Sequence, residues 1–361
     1  MIGENDLQTL TEFDGSGKVL SIYADTNLAH HSKDAIKLMV REAIKSLETS
    51  SAEEDVEAVT KYLDYEYDWQ SRGVAIFSSG QELWKAVPLP IAVKTQAFLA
   101  RRPYVRTLVD LSDRFGKYGI ALIDRESVRL FSVAWSKIQP ETEAFGEELK
   151  RHKQGGWAAA RYQRREDNLA LHNLKQAVEV IQAYCERTDC QRLMLAGSGP
   201  VLAQVADLLP SNLRHMTIGE FVADMETPPS ELLRLSLDVA TQVDLEEERK
   251  LVSQAVTAAA KGGPGTIGLD DTLAALHGGR VRQLLVEENY QAAGYVCTNC
   301  GYVSVTRHAK CPFCGATKIV ETGDVVNLAI HKAIETGTDV NIVRQNEELT
   351  RAGGMAALTR Y

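Results

Sequence analysis

Helical and strand periodicities alternate along all 361 residues, and two Cys-x-x-Cys pairs stand near the C-terminus. Together they predict an α/β protein of three α/β domains, residues 1–112, 113–226 and 227–361, with a four-cysteine zinc ribbon at about 295–318 inserted in the third. The length also argues for more than one core, because single hydrophobic cores stop growing before this size. A composition of 44% hydrophobic and 25% charged residues is that of a globular chain. No apolar run approaches the roughly 20 residues of a membrane helix. The start, Met1-Ile2-Gly3-Glu4-Asn5-Asp6, has neither the basic nor the apolar region of a signal peptide. A cytoplasmic monomer with no membrane partner is therefore expected.

In the first domain a short helix precedes a strand at 18–24, which follows Gly15-Ser16-Gly17. Ile36, Met39, Val40, Ala43, Ile44 and Leu47 recur at helical spacing and give one apolar face. Glu48-Thr49-Ser50-Ser51 makes the turn of a helical hairpin, and Val56, Val59, Tyr62 and Leu63 mark the return helix. A second strand at 73–78 leads to a Pro-containing run at 83–90. The middle domain opens with a hairpin, strands 120–123 and 128–133 about the turn 124–127.

Next comes the most unusual stretch. Between Leu149 and Arg165 there are six Lys or Arg and no Asp or Glu, on a chain of net charge −9. A basic island on an acidic chain suits a polyanionic partner. At its centre Gly155-Gly156 allows positive φ and close approach of the backbone to something else. A Gly-free helix runs from Ala158 to about Glu186. A buried strand at 192–196, the turn Gly197-Ser198-Gly199-Pro200 and a helix at 201–209 follow. Such a turn can hold phosphate at a helix N-terminus, but the Walker lysine and the full Gly-x-Gly-x-x-Gly are missing, so a plain βα turn is expected. Cys185 and Cys190 read as small buried hydrophobes.

Residues 226–230, with Pro228-Pro229, form a hinge into the third domain. A long helix at 231–260 breaks at Lys261-Gly262-Gly263-Pro264-Gly265. A short helix at 269–277 is ended by Gly278-Gly279, and 281–286 is a strand. Cys297, Cys300, Cys311 and Cys314 then make two knuckles, each second cysteine followed by glycine. Four thiolates in this arrangement close a tetrahedral site, which suits zinc and leaves no open position for catalysis. His308 lies between the knuckles, but four thiols already suffice.

These stretches resemble, in the same order, the archaeo-eukaryotic class-1 peptide-chain release factor and Pelota superfamily. Residues 151–162 resemble the Gly-Gly-Gln loop and following helix of release factors. Residues 268–276, the strand after them and Glu287-Glu288-Asn289 look like the third domain of those factors and of Pelota. Residues 353–361 resemble that domain's closing glycine turn and final strand, and archaeal members carry a comparable zinc-binding insert. Pro103-Tyr104 and the first domain look like the bacterial branch.

The resemblance implies a decoding-domain-like first domain and a tRNA-acceptor-like middle domain that sits in ribosomal RNA. Lys150, Arg151, His152, Lys153, Arg161, Arg164 and Arg165 would bind RNA there. It implies a third domain that contacts a translational GTPase, in bacteria one like elongation factor Tu. Two departures matter. Where release factors carry the glutamine that helps water attack peptidyl-tRNA, this chain has Trp157, and indole offers one N–H and no acceptor. Gly155, Gly156 and Trp157 thus form a loop equivalent with no catalytic residue assigned. The hairpin tip 48–51 also lacks the stop-codon-reading Asn-Ile-Lys-Ser.

The expected function is that of a ribosome-binding factor occupying the A site in stalling or dormancy. A peptidyl-tRNA hydrolase of ribosome rescue, using backbone N–H groups, is the alternative. A zinc-stapled adaptor that never meets the ribosome is the third. Trp157 either stacks on an unpaired base or packs on its own helix.

Overall fold

The computed structural model describes residues 4–47, 52–114, 116–135, 137–146 and 159–361. The hairpin tip 48–51 lies outside them, as do Lys150 to Lys153 and Gly155 to Trp157 of the basic loop. The chain divides into two compact units, residues 1–113 together with 246–361, and residues 114–245.

The first segment runs through α1 (Glu4–Glu12), β1 (Val19–Asp25), α2 (Lys33–Lys45) and α3 (Glu53–Lys61). Ser32 caps α2 by accepting from the Ala35 N–H, and the helix buries Ile36, Val40 and Ile44, positions on the expected apolar face. After α3 comes one π turn, Tyr62–Glu66, then β2 (Gly73–Ser79), β3 (Leu83–Leu89), β4 (Gln96–Ala100) and α4 (Arg106–Arg114). The four strands form an antiparallel sheet ordered β3-β2-β1-β4. Leu20, Ile22, Val74 and Ile76 pack its inner face against Val40, Ile44 and Val59. The Pro-containing run 83–90, which its pattern does not identify as a strand, forms β3. Pro88 is tolerated because β3 is an edge strand and its missing N–H need break no ladder.

The expected middle hairpin is present as β5 (Tyr118–Ile123) and β6 (Ser127–Ala134). Its turn is held by Asp124, whose Oδ1 accepts from the N–H of Glu126 and of Ser127. Then follow β7 (Lys137–Phe145), α5 (Ala159–Thr188), β8 (Leu193–Gly197), α6 (Gly199–Leu208), α7 (Ser211–Met216), β9 (Thr217–Val222) and α8 (Pro229–Ala260). The sheet order is β7-β6-β5-β8-β9, with β5, β8 and β9 parallel. Strand alternation splits β5 between two cores. Ala121 and Ile123 face Leu174, Val178 and Ile181 of α5. Ile120 and Leu122 belong with Leu232 and Ala240 of α8. Cys185 and Cys190 are buried in the first of these cores, as expected.

The last segment comprises β10 (Gly265–Ile267), α9 (Leu269–His277), β11 (Val281–Glu287), β12 (Gly294–Cys297), β13 (Val303–Ser304), β14 (Ile319–Thr322), α10 (Val325–Glu335), β15 (Asp339–Val343), α11 (Glu347–Arg351) and β16 (Met355–Thr359). One sheet is ordered β10-β16-β11-β15, with β11 parallel to β15. A parallel pair needs a crossover, and the small sheet β13-β12-β14 lies within it, between β11 and α10. The closing glycine turn is sterically required. Gly354 has φ +76°, and a Cβ there would lie 2.6 Å from the Tyr290 ring.

Residues 103–106 are one place where the two ends of the chain meet within their shared unit. Tyr104 stacks on Phe98 with ring centroids 3.5 Å apart, and its carbonyl accepts from the Tyr23 hydroxyl at 2.5 Å. The Pro103 carbonyl accepts from Asn327 Nδ2 at 3.1 Å and from His331 Nε2 at 2.7 Å, both on α10. Arg106 donates to the carbonyls of Glu287 and Tyr290.

His331 is buried, and loss of hydration holds its pKa below the ordinary histidine value, with the Arg102 charge adding to the effect and the Pro103 carbonyl opposing it. Between its folded pKa and the unfolded value of about 6.5, the unfolded chain binds a proton that the folded chain does not. Stability from this group is therefore complete above about pH 6.5 and is lost as pH falls through the folded pKa. Asp324, at the N-cap of α10, is shifted upward by burial, so its stabilising effect lies at acid pH and is lost as pH rises through its folded pKa. His331→Gln, which still offers a donor to Pro103, isolates the effect of histidine ionisation. The wild-type urea midpoint is expected to fall relative to that of His331→Gln as pH drops from 7 to 5. A constant difference would remove histidine ionisation as the cause.

Candidate functional site

The four knuckle cysteines converge. Their sulfurs all lie within 4.8 Å of one another. Cys297 Sγ is 3.6 Å from Cys314 Sγ, and Cys300 Sγ is 3.5 Å from Cys311 Sγ. Zn–S bonds of about 2.3 Å in a tetrahedron put sulfurs about 3.8 Å apart, so the spacing fits one ion and is far longer than a disulfide.

The two knuckles repeat one backbone pattern. Gly301 N–H donates to the Cys297 carbonyl and Gly315 N–H to the Cys311 carbonyl, each at 2.9 Å. Cys297 N–H donates to the Tyr302 carbonyl and Cys311 N–H to the Ala316 carbonyl, each at 2.8 Å. Both glycines sit at φ +72°, the left-handed conformation that closes each turn. The Ala316 N–H and then Asn299 draw the exposed Cys314 thiol down to about 6, while burial pushes Cys300 up to about 12. A bound cation would take all four as thiolates. The donor set and its spacing fit a structural tetrahedral metal.

The ribbon carries an aromatic group that its spacing alone did not single out. Phe313, between the cysteines of the second knuckle, packs on His277 of α9 with ring centroids 4.4 Å apart and on Tyr302 at 4.6 Å. His277 and Tyr302 are 5.2 Å apart. The available signal was the position of Phe313 inside Cys-Pro-Phe-Cys, where few neighbours exist to bury it.

Of the expected RNA-binding residues, Arg164 and Arg165 are exposed in the first turns of α5. Arg161 lies in the same helix, its side chain outside the description. Lys150, Arg151, His152 and Lys153 lie outside the described residues together with Gly155, Gly156 and Trp157. The far end of α5 is firmly built. Asp189 takes φ +50° just past it, and Cys190 N–H donates back to the Cys185 carbonyl at 3.0 Å. The Gly197–Pro200 turn has a packing explanation, since a Cβ at Gly197 would lie 2.4 Å from the Ile123 carbonyl.

Residues 103–241 match a sequence model of bacterial archaeo-eukaryotic release factor family 10. Peptide chain release factor subunit 1 of Archaeoglobus fulgidus is 24% identical over 282 residues, which cover 72% of this chain and 69% of that protein. The same factor from Methanococcus maripaludis is 25% identical over 290 residues, with the same coverage. Archaeal Pelota, in a model of ribosome-bound Pelota and ABCE1, aligns at 13% identity over 99% of this chain and 94% of its own, with a TM-score of 0.44. Among the described residues no helix is long and apolar enough to cross a membrane. By sequence the chain is similar to archaeal peptide chain release factor subunit 1 along 282 residues, and its residues 103–241 are similar to bacterial archaeo-eukaryotic release factor family 10.

Proposed function

We propose that this protein is a cytoplasmic translation factor that occupies the A site of stalled or dormant ribosomes, in hibernation or rescue, without hydrolysing peptidyl-tRNA. The observation that carries the reading is Gly155-Gly156-Trp157 on a basic segment of a release-factor homologue. The loop keeps the glycines that let backbone approach ribosomal RNA and loses the amide that would orient water. Residues 1–112 would act as the decoding-side domain and 113–226 as the tRNA-acceptor mimic. Residues 227–361 would form the domain that meets a GTPase like elongation factor Tu, stapled by zinc at Cys297, Cys300, Cys311 and Cys314.

Ribosomes loaded with labelled peptidyl-tRNA test it. The protein is expected to co-sediment with them in sucrose gradients and to release no more peptide than its Trp157→Ala variant. Lys150/Arg151/Lys153→Glu is expected to abolish co-sedimentation, because phosphate contacts dominate such binding and make it steeply salt-dependent. Release that disappears when Gly155-Gly156 is altered would instead establish the hydrolase. Absence from ribosomes at every salt concentration would favour an adaptor working elsewhere.

A further inference from the structure

We infer that the metal ribbon is a separate RNA-binding surface, with Phe313 as a stacking platform and Arg307, Lys310 and Lys318 as phosphate contacts for single-stranded RNA. From Asn289 through Val320 there is no Asp or Glu, on a chain that carries 49 of them. Arg307, Lys310 and Lys318 fall within that span, all exposed. Among the described residues none of the three pairs with a carboxylate, whereas Arg102, Arg129 and Arg192 elsewhere do. Four thiolates around a divalent ion carry a formal charge of about −2, which the three cations exceed.

The geometry of Phe313 is the second observation. Its side chain is 48% exposed, yet its position is determined on every other side. Cys311 and Cys314 bracket it in the knuckle, and His277 and Tyr302 back its ring. A half-open ring already held in place loses little conformational freedom when a base stacks on it. Base–aromatic stacking beside lysine and arginine is how sequence-tolerant single-strand binders work. Arg307, Lys310, Lys318, Thr306 and Thr317 are all exposed in the ribbon, a polar setting unlike the apolar centre of a protein interface. A duplex buries its base faces, so the fit is to unpaired RNA.

The test is fluorescence anisotropy of the full chain with a labelled oligouridine and with a duplex of equal length, across a salt series. Phe313→Ala is expected to weaken oligouridine binding at least about fivefold and leave the salt slope unchanged. Arg307/Lys310/Lys318→Glu is expected to reduce the slope of log K against log salt by about 2, near 0.7 per phosphate contact. Both variants should keep the parent's zinc content, which controls for an unfolded ribbon. Parent-like RNA binding by both variants, the result if this surface docks a protein instead, overturns the inference, as does a preference for duplex. Co-sedimentation with ribosomes is read separately, so the A-site proposal can fail while this one stands.

Discussion

A strong chelator is expected to remove one zinc per chain and to turn four of the six cysteines from protected to reactive toward a thiol reagent. The other two, Cys185 and Cys190, are buried in the middle core and should react only on global unfolding. The reason for a large effect is the poverty of the ribbon's own core. Its one internal cluster of buried side chains is Cys297, Tyr302 and Cys311, with Cys300, Ala316 and Ile319 packed against it and partly covered. Two of the three belong to the four-cysteine cluster that can hold a metal, so loss of a bound ion would take the interior with it. Structural zinc contributes on the order of 10–16 kcal/mol in comparably small sites at neutral pH, far more than those few apolar contacts supply. Loss of the ion, or Cys297→Ser, should therefore unfold residues 294–322 while the β10-β16-β11-β15 sheet persists. Hydrogen exchange would show it as lost protection at the Gly301 and Gly315 amides. Cys314 is exposed, so prompt reaction of its thiol in untreated protein, with no zinc retained through gel filtration, would refute the metal centre.

What could be read in advance was whatever has a local cause. The face of α2 announced itself through Ile36, Val40 and Ile44, because helical spacing and burial are the same fact. The knuckles did so because the chemistry needs four cysteines at short spacing. Strand β7, by contrast, is an exposed edge whose half-buried positions, Ile138, Thr142 and Ala144, are interrupted by Pro140 and include only two apolar side chains, so its alternation is faint in the sequence. Helix α10 was hidden for the opposite reason. Val325, Val326, Ala329, Ile330 and Ala333 leave little polar face, as suits a helix covered by sheet and ribbon. The site was half legible in the same sense. Phe313 owes its support to His277, which arrives from α9, and no local pattern links the two. Nor does anything within Pro103-Tyr104 reveal that its carbonyl waits for Asn327 and His331, more than 200 residues away.

Glu248→Ala is expected to destabilise the unit formed by residues 1–113 and 246–361 by about 3–5 kcal/mol, the cost of breaking a buried ion pair from one side. Glu248 lies on α8 and is 5% exposed. One of its oxygens accepts from Arg344 Nε at 3.1 Å and Nη2 at 2.5 Å, and the other accepts from the Arg344 N–H at 3.0 Å. The pair sits where β15 turns into α11, beside Val252, Val343 and Leu349 of the core. Gln345, the next residue, is held at φ +42°, and Asn346 then caps α11 by accepting from the Glu348 and Leu349 amides. Removing the carboxylate leaves a guanidinium stranded against apolar side chains and frees the turn that orders the cap. Arg344→Met strands the carboxylate instead, with only the Arg344 N–H left among these donors, and should cost a similar amount. Two desolvated charges are a weak source of net stability, so Glu248→Leu with Arg344→Met is expected to return to within about 1 kcal/mol of wild type or better. The check is a double-mutant cycle of Glu248→Leu, Arg344→Met and the two together, in urea unfolding followed by a signal from this unit. Additive losses in the double variant would mean that the pair is not coupled and that each residue acts through packing alone.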